Sequence, residues 1–186
     1  MTIEYELTET LLNASASNVW GDAVKEWHIA SCYDNQDCSE TCLCGHEGIR
    51  YEYTIKNEIN GNLLSPIGSR CILKFGNEDL KNEVKVWDEA IKLLEALRSE
   101  GPDSLKSLDS KYFSRRLFAF LYEKGAFVDN QYNDFNGAND RDFMIRMFNK
   151  RGEPTEKQKS KIYMILKNEI FLWLTLFENE LIRKDT

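Results

Sequence analysis

Cys42-Leu43-Cys44-Gly45-His46, met further along by Gly68-Ser69-Arg70-Cys71, is the stretch on which the reading of this 186-residue chain turns. It sets three soft or borderline ligands within five residues and a fourth in a distant segment, the donor set that tetrahedral zinc requires. Alternation along an extended chain places Cys42, Cys44 and His46 on one side. Gly45 lets the backbone turn so that the thiolates converge, and Gly68 permits a second tight turn with Cys71 just after it. The expected ligands are therefore Cys42, Cys44, His46 and Cys71. Cys38 can take the place of His46, and Cys32 ranks last. The expected role is structural, because Glu47 sits in no His-Glu-x-x-His helix that would set a general base beside an open metal position.

The cysteine count agrees with metal rather than disulfides. There are five cysteines, Cys32, Cys38, Cys42, Cys44 and Cys71, and an odd number leaves one thiol unpaired in a secreted scaffold. The opening residues, Met1 to Glu9, are acidic and lack the basic-then-apolar pattern of a signal peptide. No apolar run approaches the ~18 residues of a membrane span. A reducing, cytoplasmic setting is expected, where clustered thiols bind metal.

Around the cysteines, Val19, Trp20, Ala23, Val24 and Trp27 fall on one helical face, with Ser15 or Ser17 as a cap. Arg50 to Lys56 alternates: Tyr51, Tyr53 and Ile55 face one way and Arg50, Glu52, Thr54 and Lys56 the other, as in a half-buried strand. Asn60-Gly61-Asn62 signals a hairpin turn, with a second strand through Leu63 and Leu64. Such a hairpin is marginal alone, so zinc and the tryptophan-bearing helix are expected to support it. Tyr51 and Tyr53 are read as covering its buried face, with nucleobase stacking as the other use of exposed tyrosines.

The run Cys42-Leu-Cys-Gly-His46, then Ile49-Arg50-Tyr51, Ile55-Lys56-Asn57, Asn60-Gly61-Asn62 and Pro66-Ile-Gly-Ser-Arg-Cys71-Ile72-Leu-Lys-Phe75, resembles a zinc-ribbon-like module of uncharacterised proteins of bacteriophages, plasmids and other mobile elements. The likeness covers roughly residues 15–76, including the segment of Trp20 and Trp27. It implies Cys42, Cys44, His46 and Cys71 as ligands and a mobile-element setting. The chain departs from the pattern by an extra residue at Glu47-Gly48, which makes Cys38 the natural substitute for His46.

Beyond this module, Asn77 caps a long helix in which Leu80, Val84, Trp87, Ile91 and Leu94 recur at spacings of four and three. Gly101-Pro102 ends it, and residues 100–110 read as a polar linker or surface loop. The domain boundary is placed there: residues 1–100 as a zinc-binding α+β module with its following helix, and 101–186 as an all-α bundle. The fold class is α+β. In the second part, Lys111 to Lys124 and Asp140 to Lys150 read as helices, separated by an Asn/Asp/Gly-rich loop over 126–139. Thr155-Glu156-Lys157-Gln158 is a capping box opening a helix to about Arg183. Its middle, Ile170 to Phe177, is apolar all round, as in a bundle centre or a homodimer seam. The unit Phe143 to Leu166, with Gly152, Thr155, Lys157 and Gln158 at its centre, also resembles a short helical motif of phage and plasmid proteins linked to DNA processing, although capping alone accounts for Thr155 and Gln158.

Charge is uneven. Residues 1–110 carry 20 acids and 10 bases, a balance of −10, and residues 111–186 carry 11 acids and 14 bases, a balance of +3. The total of −7 lacks the footprint of a strong DNA binder. Arg146, Lys150, Arg151, Lys157 and Lys161 are the candidate phosphate contacts, while the acidic first half suits a basic protein surface. There is no G-x-x-x-x-G-K loop, and the Asp140/Asp142 pair lacks a third ligand for a hard cation. His28 and His46 lie in or near the thiol cluster, so no separate Cys-His nucleophile pair is left over. The expectation is a non-enzyme with structural Zn2+, associated with a mobile element, that binds nucleic acid or a nucleoprotein complex. The alternatives are an anti-CRISPR-like inhibitor of a host defence nuclease, acting through the acidic half, and a scaffolding homodimer joined by the C-terminal helix.

Overall fold

The structure, a computed structural model, describes residues 3–182. The chain is α+β and divides into two compact units, Met1–Trp87 and Asp88–Thr186. The division falls inside the long helix, whereas the sequence reading drew it at residue 100.

In unit 1, α1 (Ile3–Ala14) and a short turn of helix α2 (Trp20–Ala23), continued by a 3₁₀ turn (Val24–Glu26), lead into strand β1 (Trp27–Asp34). The helix expected through Trp27 is thus a single turn, and Trp27 begins a strand. The reason lies in the next eight residues: Trp27, Ile29 and Cys32 are buried as β1 pairs antiparallel with β4 (Tyr51–Asn57). β5 (Leu63–Gly68) pairs with the other edge of β4, so a three-stranded sheet in the order β1-β4-β5 replaces the expected lone hairpin. The turn at Asn60-Gly61-Asn62 forms as expected, with Gly61 at φ +76°. Tyr53 and Ile55 are fully buried at the middle of β4, which leaves Tyr53 no face for a nucleobase. A second, two-stranded ribbon pairs β2 (Glu40–Thr41) with β3 (Glu47–Ile49).

Glu26, buried at the end of the 3₁₀ turn, holds this unit's entry segment. Its carboxylate accepts hydrogen bonds from Ala16 N–H (2.7 Å), Ser17 N–H (2.8 Å) and the Asn57 side-chain amide (2.6 Å). Burial opposes its charge, yet these three donors keep its pKa below the ordinary carboxylate value. α3 (Ser69–Lys74) follows β5 and packs on β4 and β5, while the Trp20 and Phe75 rings meet edge to face at 5.9 Å.

α4 (Glu78–Ser99) is capped by Asn77, whose Oδ1 accepts from Asp79 N–H (2.8 Å). Its expected stripe is buried at Leu80, Val84, Trp87 and Leu94. The segment after it is more than a polar linker: α5 (Gly101–Ser104) is a further helical turn, and Leu105 and Leu108 are buried. Unit 2 then runs through α6 (Arg115–Glu123), α7 (Gly137–Phe148) and α8 (Glu156–Ile165). A π-helical stretch (Leu166–Ile170) continues α8 into α9 (Phe171–Ile182). The expected end at Arg183 lies outside the described residues. The capping box of α8 is present, Thr155 Oγ1 accepting from Gln158 N–H and Gln158 Oε1 from Thr155 N–H. Phe118 stacks on Phe113 at 5.7 Å and meets Phe148 edge to face at 6.0 Å.

α7 starts earlier than Asp140, at Gly137, because the loop before it is tied to it. Asp129 accepts from Gly137 N–H (2.7 Å) and Asn133 Nδ2 donates to the buried Asp140 (2.7 Å). An added Cβ at Gly137 would sit 2.4 Å from the Phe127 carbonyl oxygen, so only glycine fits there.

Candidate metal centre

The β2–β3 ribbon presents the first cysteine pair. Between its strands Cys42 N–H donates to the His46 carbonyl (2.9 Å) and Gly45 N–H to the Cys42 carbonyl (2.7 Å), closing a tight turn with Gly45 at φ +82°. Leu43 N–H donates to the Pro66 carbonyl (2.9 Å), which fastens the turn to β5. Cys71 arrives from the first turn of α3 rather than from a second knuckle, because Ser69 onward is helical.

These elements bring three buried sulfurs together. Cys44 and Cys71 Sγ lie 3.2 Å apart, Cys42 and Cys71 Sγ 3.7 Å apart, and all three fall within 4.8 Å of one another. Sulfurs about 2.3 Å from a tetrahedral ion stand about 3.8 Å from each other. The Cys42–Cys71 edge already has that length, and the Cys44–Cys71 edge needs to open by about half an ångström. The cluster can hold a metal ion.

The hydrogen bonding favours the thiolate at one sulfur, that of Cys44. Gly68 N–H points at Cys42 Sγ (3.3 Å). Burial works against ionisation of Cys44, but the Cys71 thiol, the His46 N–H and the Cys42 thiol all donate to its sulfur and hold its pKa below the ordinary thiol value. Burial pushes the Cys71 thiol up, and its hydrogen bond to Cys44 pushes the same way.

The other expected ligands fall outside this group. His46 is exposed and lines the cavity next to the cluster without joining the three sulfurs. Cys38 is exposed and its thiol faces the Gln36 carbonyl at 3.9 Å, while Cys32 is buried in β1. The expectation for His46 rests on alternation, which holds only for an extended chain, and residues 42–46 form a turn.

The cavity has a volume of about 520 Å³ and reaches all three cysteines. Arg50, Arg70, Lys74 and the His46 imidazole line it, with Ser69 and Tyr51, and no acidic side chain does. Arg50 is anchored, its guanidinium on the Asp34 carboxylate (2.8 and 2.9 Å) and over the Tyr51 ring at 5.0 Å. Arg70 and Lys74 stand four apart on α3, on the face next to Cys71. Sequence reasoning missed this cationic lining. The i,i+4 spacing of Arg70 and Lys74 was its one signal, and it was hidden by reading residues 66–71 as a turn.

The expected nucleic-acid residues of unit 2 divide into two sets. Lys161 pairs with buried Asp140 (2.8 Å), and Lys150 serves the start of α8, donating to the Glu153 carbonyl (3.0 Å) and Gln158 Oε1 (2.9 Å). Arg146, Arg151 and Lys157 are exposed, with no ion pair among the described residues. No helix is long and apolar enough to cross a membrane among the described residues. No protein-family model, curated protein or solved structure matches the chain.

Proposed function

We propose that this is a non-enzymatic, cytoplasmic accessory protein of the mobile-element kind, in which zinc held by Cys42, Cys44 and Cys71 braces unit 1, and which acts by binding nucleic acid or a nucleoprotein complex. The observation that carries the reading is the cationic cavity beside the cluster. Unit 1 has 14 acids against 7 bases, a balance of −7, yet its cavity is lined by Arg50, Arg70 and Lys74 and by no acid. A concave positive site in a negative surrounding concentrates phosphate where it can be used and repels it elsewhere. Zinc is favoured over harder divalent ions by an all-thiolate donor set. Arg146, Arg151 and Lys157 offer a second set of phosphate contacts in unit 2.

The test is the salt dependence of binding to a single-stranded oligonucleotide, read by fluorescence anisotropy. Arg70→Glu with Lys74→Glu is expected to weaken binding tenfold or more and to lower the salt slope by about 1–2. An unchanged affinity removes this site from the reading. Stoichiometric zinc by elemental analysis checks the metal.

A second reading is favoured by the exposed acids Asp37, Glu40 and Glu47 around the β2–β3 ribbon. They suit a basic nucleic-acid-binding protein, such as a host defence nuclease, which the chain would inhibit. Recovery of such a protein at low ionic strength, released by salt, distinguishes it. A homodimer through α9 rests on Leu172 and Leu176, each about half exposed (53% and 52%), and solution mass decides it.

A further inference from the structure

The cluster supplies three ligands where tetrahedral coordination takes four. We infer that the Cys42–Cys44–Cys71 centre is an anion receptor, leaving its fourth position to an outside phosphate oxygen that enters through the cavity and is steadied by Arg70 and Lys74. This rests on the zinc part of the proposed function and goes beyond its structural role.

Three observations converge. First, among the described residues no fourth cysteine, histidine or carboxylate joins the three sulfurs. Closed structural sites fill all four positions with protein, while sites that bind an outside ligand keep three. Second, the open side is not capped by apolar packing: the cavity of about 520 Å³ touches all three cysteines, with room for a phosphate and the group that bears it. Third, charge selects the ligand. Three thiolates outweigh a divalent ion by one negative charge, so a further anion is held only where cations stand by. Arg70 and Lys74 line the same cavity, beside an Arg50 that is already paired with Asp34, and the Ser69 hydroxyl adds a donor. A guanidinium and an ammonium four residues apart suit the several oxygens of a phosphate better than a lone carboxylate or thiolate.

The shared chemistry is a phosphate monoester, whose source is either a strand end or free phosphate. The full chain is loaded with cobalt(II), whose ligand-field bands report the coordination sphere without any activity assay. Inorganic phosphate, a 5′-phosphorylated oligonucleotide and its hydroxyl-ended twin are then titrated. Phosphate is expected to shift the bands, with Arg70→Glu and Lys74→Glu each raising the concentration needed by about tenfold, while the exposed His46→Ala leaves the bands of the unliganded protein in place. A response to the phosphorylated strand where inorganic phosphate is still silent identifies a strand end, and a response to inorganic phosphate alone identifies the free ion. If His46→Ala changes the bands and no phosphate does, His46 closes the site and the inference falls while the zinc reading stands. Failure to take up cobalt overturns both.

Discussion

Unit 1 and unit 2 are of similar length but are held together by different means. Unit 1 is built from a three-stranded sheet with strands of eight, seven and six residues, a two-stranded ribbon, the twelve-residue α1 and the shorter α2 and α3. A sheet of so few strands is marginal without something packed on it. Its connections are made instead by point fastenings: the three-sulfur cluster, the Glu26 carboxylate and the Leu43–Pro66 hydrogen bond. Unit 2 carries 17 acids and 17 bases, uses the side-chain-capped helices α6, α7 and α8, and fills its interior with Phe113, Phe118, Leu117, Leu121, Ile165 and Leu166. In unit 2 caps and an apolar stripe join the elements; in unit 1 a buried carboxylate and clustered thiols do so.

The largest expected effect tests that contrast directly. Cys71→Ser should abolish metal binding and lower the stability of unit 1 by about 4 kcal/mol or more, the range of a lost metal site. Chelation of the native protein should do the same. Followed by a Trp27-sensitive signal for unit 1 and by helical circular dichroism dominated by unit 2, the first transition should move and the second stay. Coincident shifts would break the distinction between the units.

Next comes the tight spot of unit 2. Gly137→Ala drives a methyl against the Phe127 carbonyl oxygen and should cost about 2–3 kcal/mol, read as a fall in the denaturation midpoint of unit 2. A neutral outcome would mean that the loop over 126–136 yields freely.

Two buried carboxyls sharpen the comparison because they respond to pH in opposite senses. Glu26 has a folded pKa below 4.5, so the stability it adds is present above that value and is lost as pH falls through its folded pKa. Glu26→Gln removes a charged acceptor of three hydrogen bonds and should cost about 2 kcal/mol at neutral pH. Most of that cost should vanish in acid. Glu169, on the π-helical stretch, is pushed up to about 7, by burial first and by neighbouring Asp140 second, with Lys161 opposing. Its protonated form is the one the fold prefers. That contribution is complete below 4.5 and is lost as pH rises through about 7. Glu169→Gln should therefore raise stability at pH 8 by about 1 kcal/mol and flatten the pH profile of unit 2. Chemical denaturation from pH 4 to 8 checks both, and parallel profiles for the two variants would refute the assignment.

How much of this was legible in the sequence follows the range of the forces involved. The capping box at Thr155, the Asn77 cap, the Asn60–Asn62 turn and the alternation of β4 were readable because each depends on neighbours within four residues. β1 was not, since Val19 to Trp27 carries a helical spacing that pairing with β4 overrides after Val24. Unit 2's phosphate-binding candidates were read from charge alone, and two of the five, Lys150 and Lys161, turned out to be occupied by intramolecular partners. At the metal centre the residue types announced the chemistry, but the membership did not. His46 and Cys38 are as close to Cys42 in sequence as a ligand should be, yet His46 only lines the cavity beside the sulfurs and Cys38 is exposed.

The sequence by itself determined that Cys42, Cys44 and Cys71 are soft donors suited to a metal, that the fold is α+β, and where its best helices are capped. These are properties of side-chain chemistry and of short-range periodicity. Only the tertiary structure decided that Cys71 comes from a helix, that three sulfurs meet without His46 or Cys38 among the described residues, and that Arg70 and Lys74 line the same cavity as the sulfurs. Those outcomes depend on how α3 packs on β4 and β5. A contact between residues so far apart in the chain is set by the burial of apolar surface, which no local pattern encodes.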